Sequence, residues 1–224
     1  MSLRHAMKLI AACLLLLSCN LHKGADQLAD STVISKVRLY KGSFTIQHKD
    51  TVSFLRNFAQ NLDLPILIGG FQGLYIRIWA WDFGADRYVI DIKKTISGNS
   101  CSIISFAVKK KDSSMYIFIH EKKSLVPQSG WVAFFDSLGK YNVPEMKTAT
   151  LSTEQKGRLT SMEYIQFEID QPDQYRFFEY LDPFIFRNED AASQKVYSFL
   201  KYFNREMGTH IYNVEKGGAK AEDP

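Results

Sequence analysis

The sequence predicts an α+β fold, an antiparallel β-meander of about four to six strands with helices packed mainly on one face. Three observations predict it. Gly73–His120 divides into consecutive runs of alternating apolar residues separated by turn residues. The connections between those runs are too short for a parallel crossover, which needs a dozen residues or more. After His120 the apolar spacing changes from two to that of a helix, and aromatic residues line the new stripe.

The chain opens on a charged segment, Arg4, His5 and Lys8, followed by the apolar run Leu9–Leu17. That run is too short to span a bilayer and reads as the core of a secretory leader. It ends in Leu16-Leu17-Ser18-Cys19, which resembles a bacterial lipobox. The resemblance implies cleavage before Cys19 and transfer of a diacylglycerol group to its thiol, with palmitate among the acyl chains. Leu17, two positions before the cysteine, stands where a small residue is more usual. The alternative is an ordinary secretory leader cut after a small residue, with Cys19 or Cys101 left as a stray thiol. Residues 1–18 are thus expected to be a lipoprotein signal peptide and 19–32 a polar tether. A single domain is expected over 33–212 and a flexible tail over 213–224. Once Cys19 is acylated and the leader is gone, Cys101 is the remaining thiol, and no internal disulfide is expected.

Within the domain, Val37, Leu39, Phe44 and Ile46 suggest an edge strand. Asp50 and Thr51 offer a helix start ahead of Val52, Phe54, Leu55, Phe58 and Leu62, and Pro65 closes that stretch. In the first strand of the meander Leu74, Ile76, Ile78 and Ala80 share one side; Tyr75, Arg77, Trp79, Trp81 and Phe83 share the other. Gly84-Ala85-Asp86 turns the chain into Tyr88–Lys93. Ser97-Gly98-Asn99-Ser100 turns it into Ile104–Val108, and the polar Lys109–Ser114 into Met115–Ile119. Trp131, Phe134, Phe135 and Leu138 then mark a short helix with Ser129 as its cap. Its aromatic face is expected to dock on the aliphatic side of the sheet together with Phe199 and Phe203. Residues 162–180 read as a hairpin around Gln171-Pro172-Asp173-Gln174. A last helix begins near Asp190, carries Val196, Phe199, Leu200, Phe203 and Met207, and closes on Gly208.

The run PQSGWVAFFDSLGKYNVPEM, with the leader upstream and YRFFEYLDP and the closing aromatic helix downstream, resembles a family of uncharacterised bacterial lipoproteins. The shared features are a Trp-rich strand, a P-x-S-G-W helix with a V-P-x-M-like exit, and a Y-R hairpin. They span roughly Leu74–Phe203. The resemblance implies a fold and an address in the cell envelope, on the periplasmic or outer-membrane side, and implies no activity.

Composition and charge narrow the function further. The 224 residues are 46% hydrophobic and 13% aromatic, enough for a real core. The net charge is +4, and removing Arg4 and Lys8 with the leader leaves 26 basic against 24 acidic side chains. No nucleic-acid interface is expected from so even a balance. The histidines lack zinc spacing, and the pair His120-Glu121 is better read as a strand end than as a ligand pair. No nucleophile elbow, phosphate loop or dinucleotide fingerprint occurs, so no catalytic residue, metal or cofactor is assigned. Asp82, Asp86 and Asp91 read as ordinary turn charges rather than a cation site. Glu168, Asp170 and Asp173 could pair for glycosidic hydrolysis only if a cleft united them.

The aromatic side of the first strand is the candidate binding feature. Tyr75, Arg77, Trp79 and Trp81 share a face, and flat aromatics with an arginine suit a glycan or an envelope protein. The competing reading buries the tryptophans against a helix. Two functions stay open. One is a membrane-anchored, non-enzymatic binding or interaction protein; the other is an envelope hydrolase with carboxylates on its hairpins.

Overall fold

The computed structural model describes residues 31–32, 36–40, 51–81, 87–111, 114–149, 151–157 and 164–211. Cys19, the tether up to residue 30 and the tail 213–224 lie outside them, as do Asp82, Phe83 and Asp86. The elements are β1 (Ser31–Thr32), β2 (Lys36–Tyr40), α1 (Thr51–Asn61), β3 (Leu74–Trp81), β4 (Arg87–Thr95), β5 (Gly98–Lys111) and β6 (Ser114–Leu125). They continue with α2 (Trp131–Lys140), a 3-10 turn at Val143–Glu145, the short α3 (Thr153–Gly157), β7 (Tyr164–Asp170), β8 (Tyr175–Leu181) and α4 (Ala191–Met207).

All strands join one antiparallel sheet in the order β1-β6-β5-β4-β3-β7-β8, with β2 also pairing β6. The meander β3–β6 is the one the alternation predicts. Two additions widen it to eight strands. The β7–β8 hairpin returns to the free edge of β3, and β1 with β2 covers the far edge of β6. Because β1 pairs Ser31 with Lys123, the sheet starts inside the stretch read as tether.

Helices α2 and α4 cover the aliphatic side of β3. Phe134, Leu138, Val196, Phe199 and Phe203 form one core with Ile76, Ile78, Ile90 and Phe167. Phe134 lies 6.3 Å from Phe203, and Phe167 lies 6.1 Å from Phe199, between ring centres. Trp131 is half-buried at the margin of this core, with its ring against Phe134 and Phe135. Phe134 and Leu138, one turn further on, carry the docking. The cap differs from the expectation. Gly130 occupies that position without a side-chain bond, while the Ser129 amide donates to Glu206 Oε2 of α4 at 3.0 Å. The start of α2 is therefore tied to its neighbouring helix rather than to its own serine.

Helix α1 goes to the opposite side. Its Leu55, Phe58 and Ala59 form a second core with Trp79, Trp81, Val89, Ile104, Phe106 and Ile117. It ends at Asn61; Asp63, at a positive φ of 57°, then turns the chain, and the Leu64 amide bonds the Ala59 carbonyl at 2.9 Å. This left-handed residue, two positions ahead of Pro65, stops the helix. The long last helix follows its local signals: Asp190 accepts from the Ser193 amide at 2.6 Å, and Gly208 closes it at φ 60°.

The motifs at 127–146 and 175–180 touch each other. Arg176 of β8 donates to the carbonyls of Pro144 and Met146, and the Tyr180 hydroxyl donates to the Lys147 carbonyl at 2.6 Å. The V-P-E-M exit and the Y-R hairpin are thus two sides of one joint that holds the segment after α2 against the edge strand.

Candidate functional site

The side of β3 that carries Tyr75, Arg77, Trp79 and Trp81 is closed. Their exposures are 1%, 0%, 0% and 4%: the open binding stripe is absent, and the competing reading, with the tryptophans buried against a helix, holds, except that Arg77 is buried with them. The reason is α1. Phe58 lies 6.0 Å from Trp79 and 5.3 Å from Trp81, edge to face in both cases, and Phe54 lies 6.0 Å from Trp81. The two indoles stack on each other at 5.8 Å. A strand covered by helices on both sides keeps its alternation but loses its polar side to the interior.

What the stripe makes instead is a buried polar network. Strand register places Asp91 of β4 and Glu168 of β7 directly opposite Arg77, one on each side. Arg77 grips Asp91 with two bonds, Nε to Oδ1 at 2.7 Å and Nη2 to Oδ2 at 3.1 Å. Its Nη1 donates to the Pro65 carbonyl at 2.8 Å and its Nη2 to the Tyr75 hydroxyl at 2.8 Å. Tyr75 passes its own proton toward Asp91 Oδ2 at 2.5 Å. Such a fork suits a buried carboxylate because the guanidinium stays charged and its donors are preset.

Strand β7 repeats the pattern along its length. Glu168 accepts from the Trp79 indole at 2.7 Å and from the Tyr175 hydroxyl at 2.9 Å. Gln166 accepts from the Trp81 indole at 2.8 Å and donates to Glu179 at 3.2 Å. Asp170 accepts from the backbone amides of Ile68, Gly69 and Phe71 at 3.0–3.2 Å. Glu168 and Asp170 therefore do share a face, as their parity requires, but each is held by its own donors. Asp173 sits exposed at the hairpin tip.

Electrostatics follow burial. The Glu168 carboxyl is pushed above the ordinary range by burial, against the opposing pull of the Trp79 donor and the Arg77 charge. Burial first, and the carboxylates Asp91 and Glu168 second, push the Tyr75 and Tyr175 phenols up. The Cys101 thiol is pushed up the same way, mainly by burial, which makes it an inert core residue. Arg56 of α1 lies 5.4 Å above the Tyr175 ring, and its buried Nε has no partner among the described residues.

Asp170 has the clearest local task. Replacing it by alanine removes three charge-assisted bonds from the loop between α1 and β3 and is expected to cost about 2–3 kcal/mol. Hydrogen exchange should quicken at Ile68, Gly69 and Phe71. Unchanged exchange at those amides would mean the loop is held by something else.

Sequence reasoning located Glu168 and Asp91 as carboxylates but missed Tyr175, Gln166 and the Pro65 carbonyl as partners. The register of β7 on β3 brings in Gln166, the β7–β8 hairpin brings in Tyr175, and the Pro65 carbonyl comes from the loop ahead of β3. Among the described residues no three histidine, cysteine, aspartate or glutamate side chains converge as metal ligands. A cavity of about 140 Å³, lined by Tyr88, Ile103, Ser105 and Glu121, lies on the other side of the sheet. No family model matches the chain, and no curated protein or solved structure matches it either.

Proposed function

We propose that this chain is a lipid-anchored protein of the bacterial cell envelope whose domain serves binding or interaction rather than hydrolysis. The observation that carries the reading is the commitment of the sheet's carboxylates. Asp91 and Glu168 are 5% and 1% exposed, and both are occupied by donors from neighbouring strands. A general acid or base must reach the proton it moves, directly or through one water. The raised carboxyl of Glu168 has the character of a general acid, but the burial that raises it also separates it from any substrate. Trp79 and Trp81 stack on each other and on α1, so the partner is not a sugar laid on those rings. Another envelope component, or the membrane itself, fits better.

The address rests on Leu16-Leu17-Ser18-Cys19 and its leader. Intact-mass measurement of membrane-fraction protein is expected to show a chain starting at Cys19 with acyl groups attached. Several chains on one residue anchor firmly where a single chain would not. Cys19→Ser should leave an unacylated precursor. Wild-type protein should turn over neither polysaccharide nor peptide substrates. Turnover lost in a Glu168→Gln variant with an unchanged melting curve would reverse the reading to a hydrolase.

A further inference from the structure

We infer that one end of the sheet, displaying Ile66, Ile68, Ile96, Val126 and Val132, docks on the lipid surface that carries the chain's own anchor. The inference rests on the lipid-anchor reading of Cys19. Its own observations are the distribution of exposed aliphatic residues and the point where the chain enters the sheet.

The register fixes which loops share an end. Leu74 pairs with Lys94, Thr95 with Gly98, Cys101 with Leu125 and Tyr75 with Asp170. The loop into β3, the β4–β5 turn and the exit from β6 therefore lie together. Exposures there are 68% for Ile68, 107% for Ile96 and 60% for Val126, with Ile66 at 38%; Val132, 78% exposed, stands on the first turn of α2, which follows the β6 exit. Among the residues whose exposure is described, one other large apolar side chain is exposed: Ile185, which follows the far end of β8. Single exposed aliphatics need no explanation, but their collection at one end of a domain does.

The display is built rather than incidental. Asp170 pins the amides of Ile68, Gly69 and Phe71, so Ile68 is presented by an ordered loop. Gly73 closes that loop against β4, where a Cβ would stand 2.1 Å from the Lys94 carbonyl oxygen. Lys94 is exposed and Lys93 and Lys123 are half-buried near the same end. Long stems with a cationic head suit the boundary between acyl chains and anionic headgroups.

Two features favour lipid over a protein partner. The tips are isoleucine and valine, whereas protein hot spots favour tryptophan, tyrosine and arginine. The chain also enters the sheet at Ser31, paired with Lys123, two residues before β6 ends at this same end. From Cys19 to Ser31 the chain spans at most about 40 Å. An anchor on so short a lead makes lipid the surface this end meets at the highest effective concentration. The acyl chains would supply the affinity and the aliphatic tips the orientation.

The test uses the full acylated protein in phosphatidylethanolamine–phosphatidylglycerol vesicles doped with a photoreactive diazirine phospholipid. Cross-links are expected in peptides containing Ile68, Ile96 and Val126–Val132, and not around Ile185. An Ile68→Asp, Ile96→Asp, Val126→Asp variant with an unchanged melting curve should lose about tenfold or more of those cross-links. Cross-links spread evenly over the domain, or gathered at Ile185, on protein whose mass confirms acylation, would overturn the docking and leave the anchor standing. Wild-type protein without acyl mass would overturn the anchor, and the docking with it.

Discussion

Replacing Arg77 by methionine is expected to destabilise the domain by about 3–5 kcal/mol, the range for breaking a buried ion pair from one side. The methionine fills much of the volume but none of the bonding. Asp91, 5% exposed, keeps only the Tyr75 hydroxyl, and the Pro65 carbonyl loses its donor. Glu168, paired with Arg77 across the β3–β7 ladder, loses the cation that favours its ionised form. The penalty should therefore come from the stranded carboxylates rather than from lost packing. A second change, Asp91→Leu in the Arg77→Met background, removes one stranded charge and should recover a large part of the loss. Denaturant melts of wild type, both single variants and the double variant form the cycle that separates these contributions. A loss below about 1 kcal/mol for Arg77→Met would mean the network is a bystander in folding.

The same residues show how far the sequence is legible. The alternation in Leu74–Trp81 states that the two sides of β3 differ, and both the strand and its side-chain parity are as expected. Parity cannot say which side meets water, and here neither does. That outcome depends on α1 crossing to the tryptophan side, a choice made by tertiary packing of Phe54, Leu55 and Phe58 and not by their spacing. The Arg77–Asp91 pair sits within one hairpin, so its register was within reach of the local turn. Glu168 was not: it meets Arg77 because a hairpin some ninety positions later returns to the edge of β3 rather than continuing past β6. Local signals fared better. Asp190 and Gly208 cap α4 as read, because a cap is decided by a handful of neighbouring atoms. Ser129 misled because Gly130 takes the cap position, one residue later, while the Ser129 amide is held by Glu206 from far along the chain.

Truncating Trp79 to alanine is expected to cost about 3–5 kcal/mol, as for other fully buried large aromatics. The indole fills the space between Phe58 and Trp81, and its N–H is one of the two hydrogen-bond donors to Glu168. Trp79→Phe separates these roles, because it keeps much of the apolar volume and removes the donor. The separation is read in the pH dependence. Burial raises the Glu168 carboxyl in the folded state, so the folded chain holds that proton to higher pH than the unfolded chain does. The resulting stabilisation is complete below the unfolded value, about 4.3, and is lost as pH rises through the folded value. The Trp79 donor favours the ionised form, so Trp79→Phe should push the folded value higher still and extend the loss to higher pH. Glu168→Gln should remove this loss in either background, since the amide oxygen still accepts a hydrogen bond and the side chain never ionises. Melts across the pH range check the set. If Trp79→Phe and Trp79→Phe/Glu168→Gln fall in parallel as pH rises above about 4.3, the dependence belongs to some other group and the indole's contribution is volume alone.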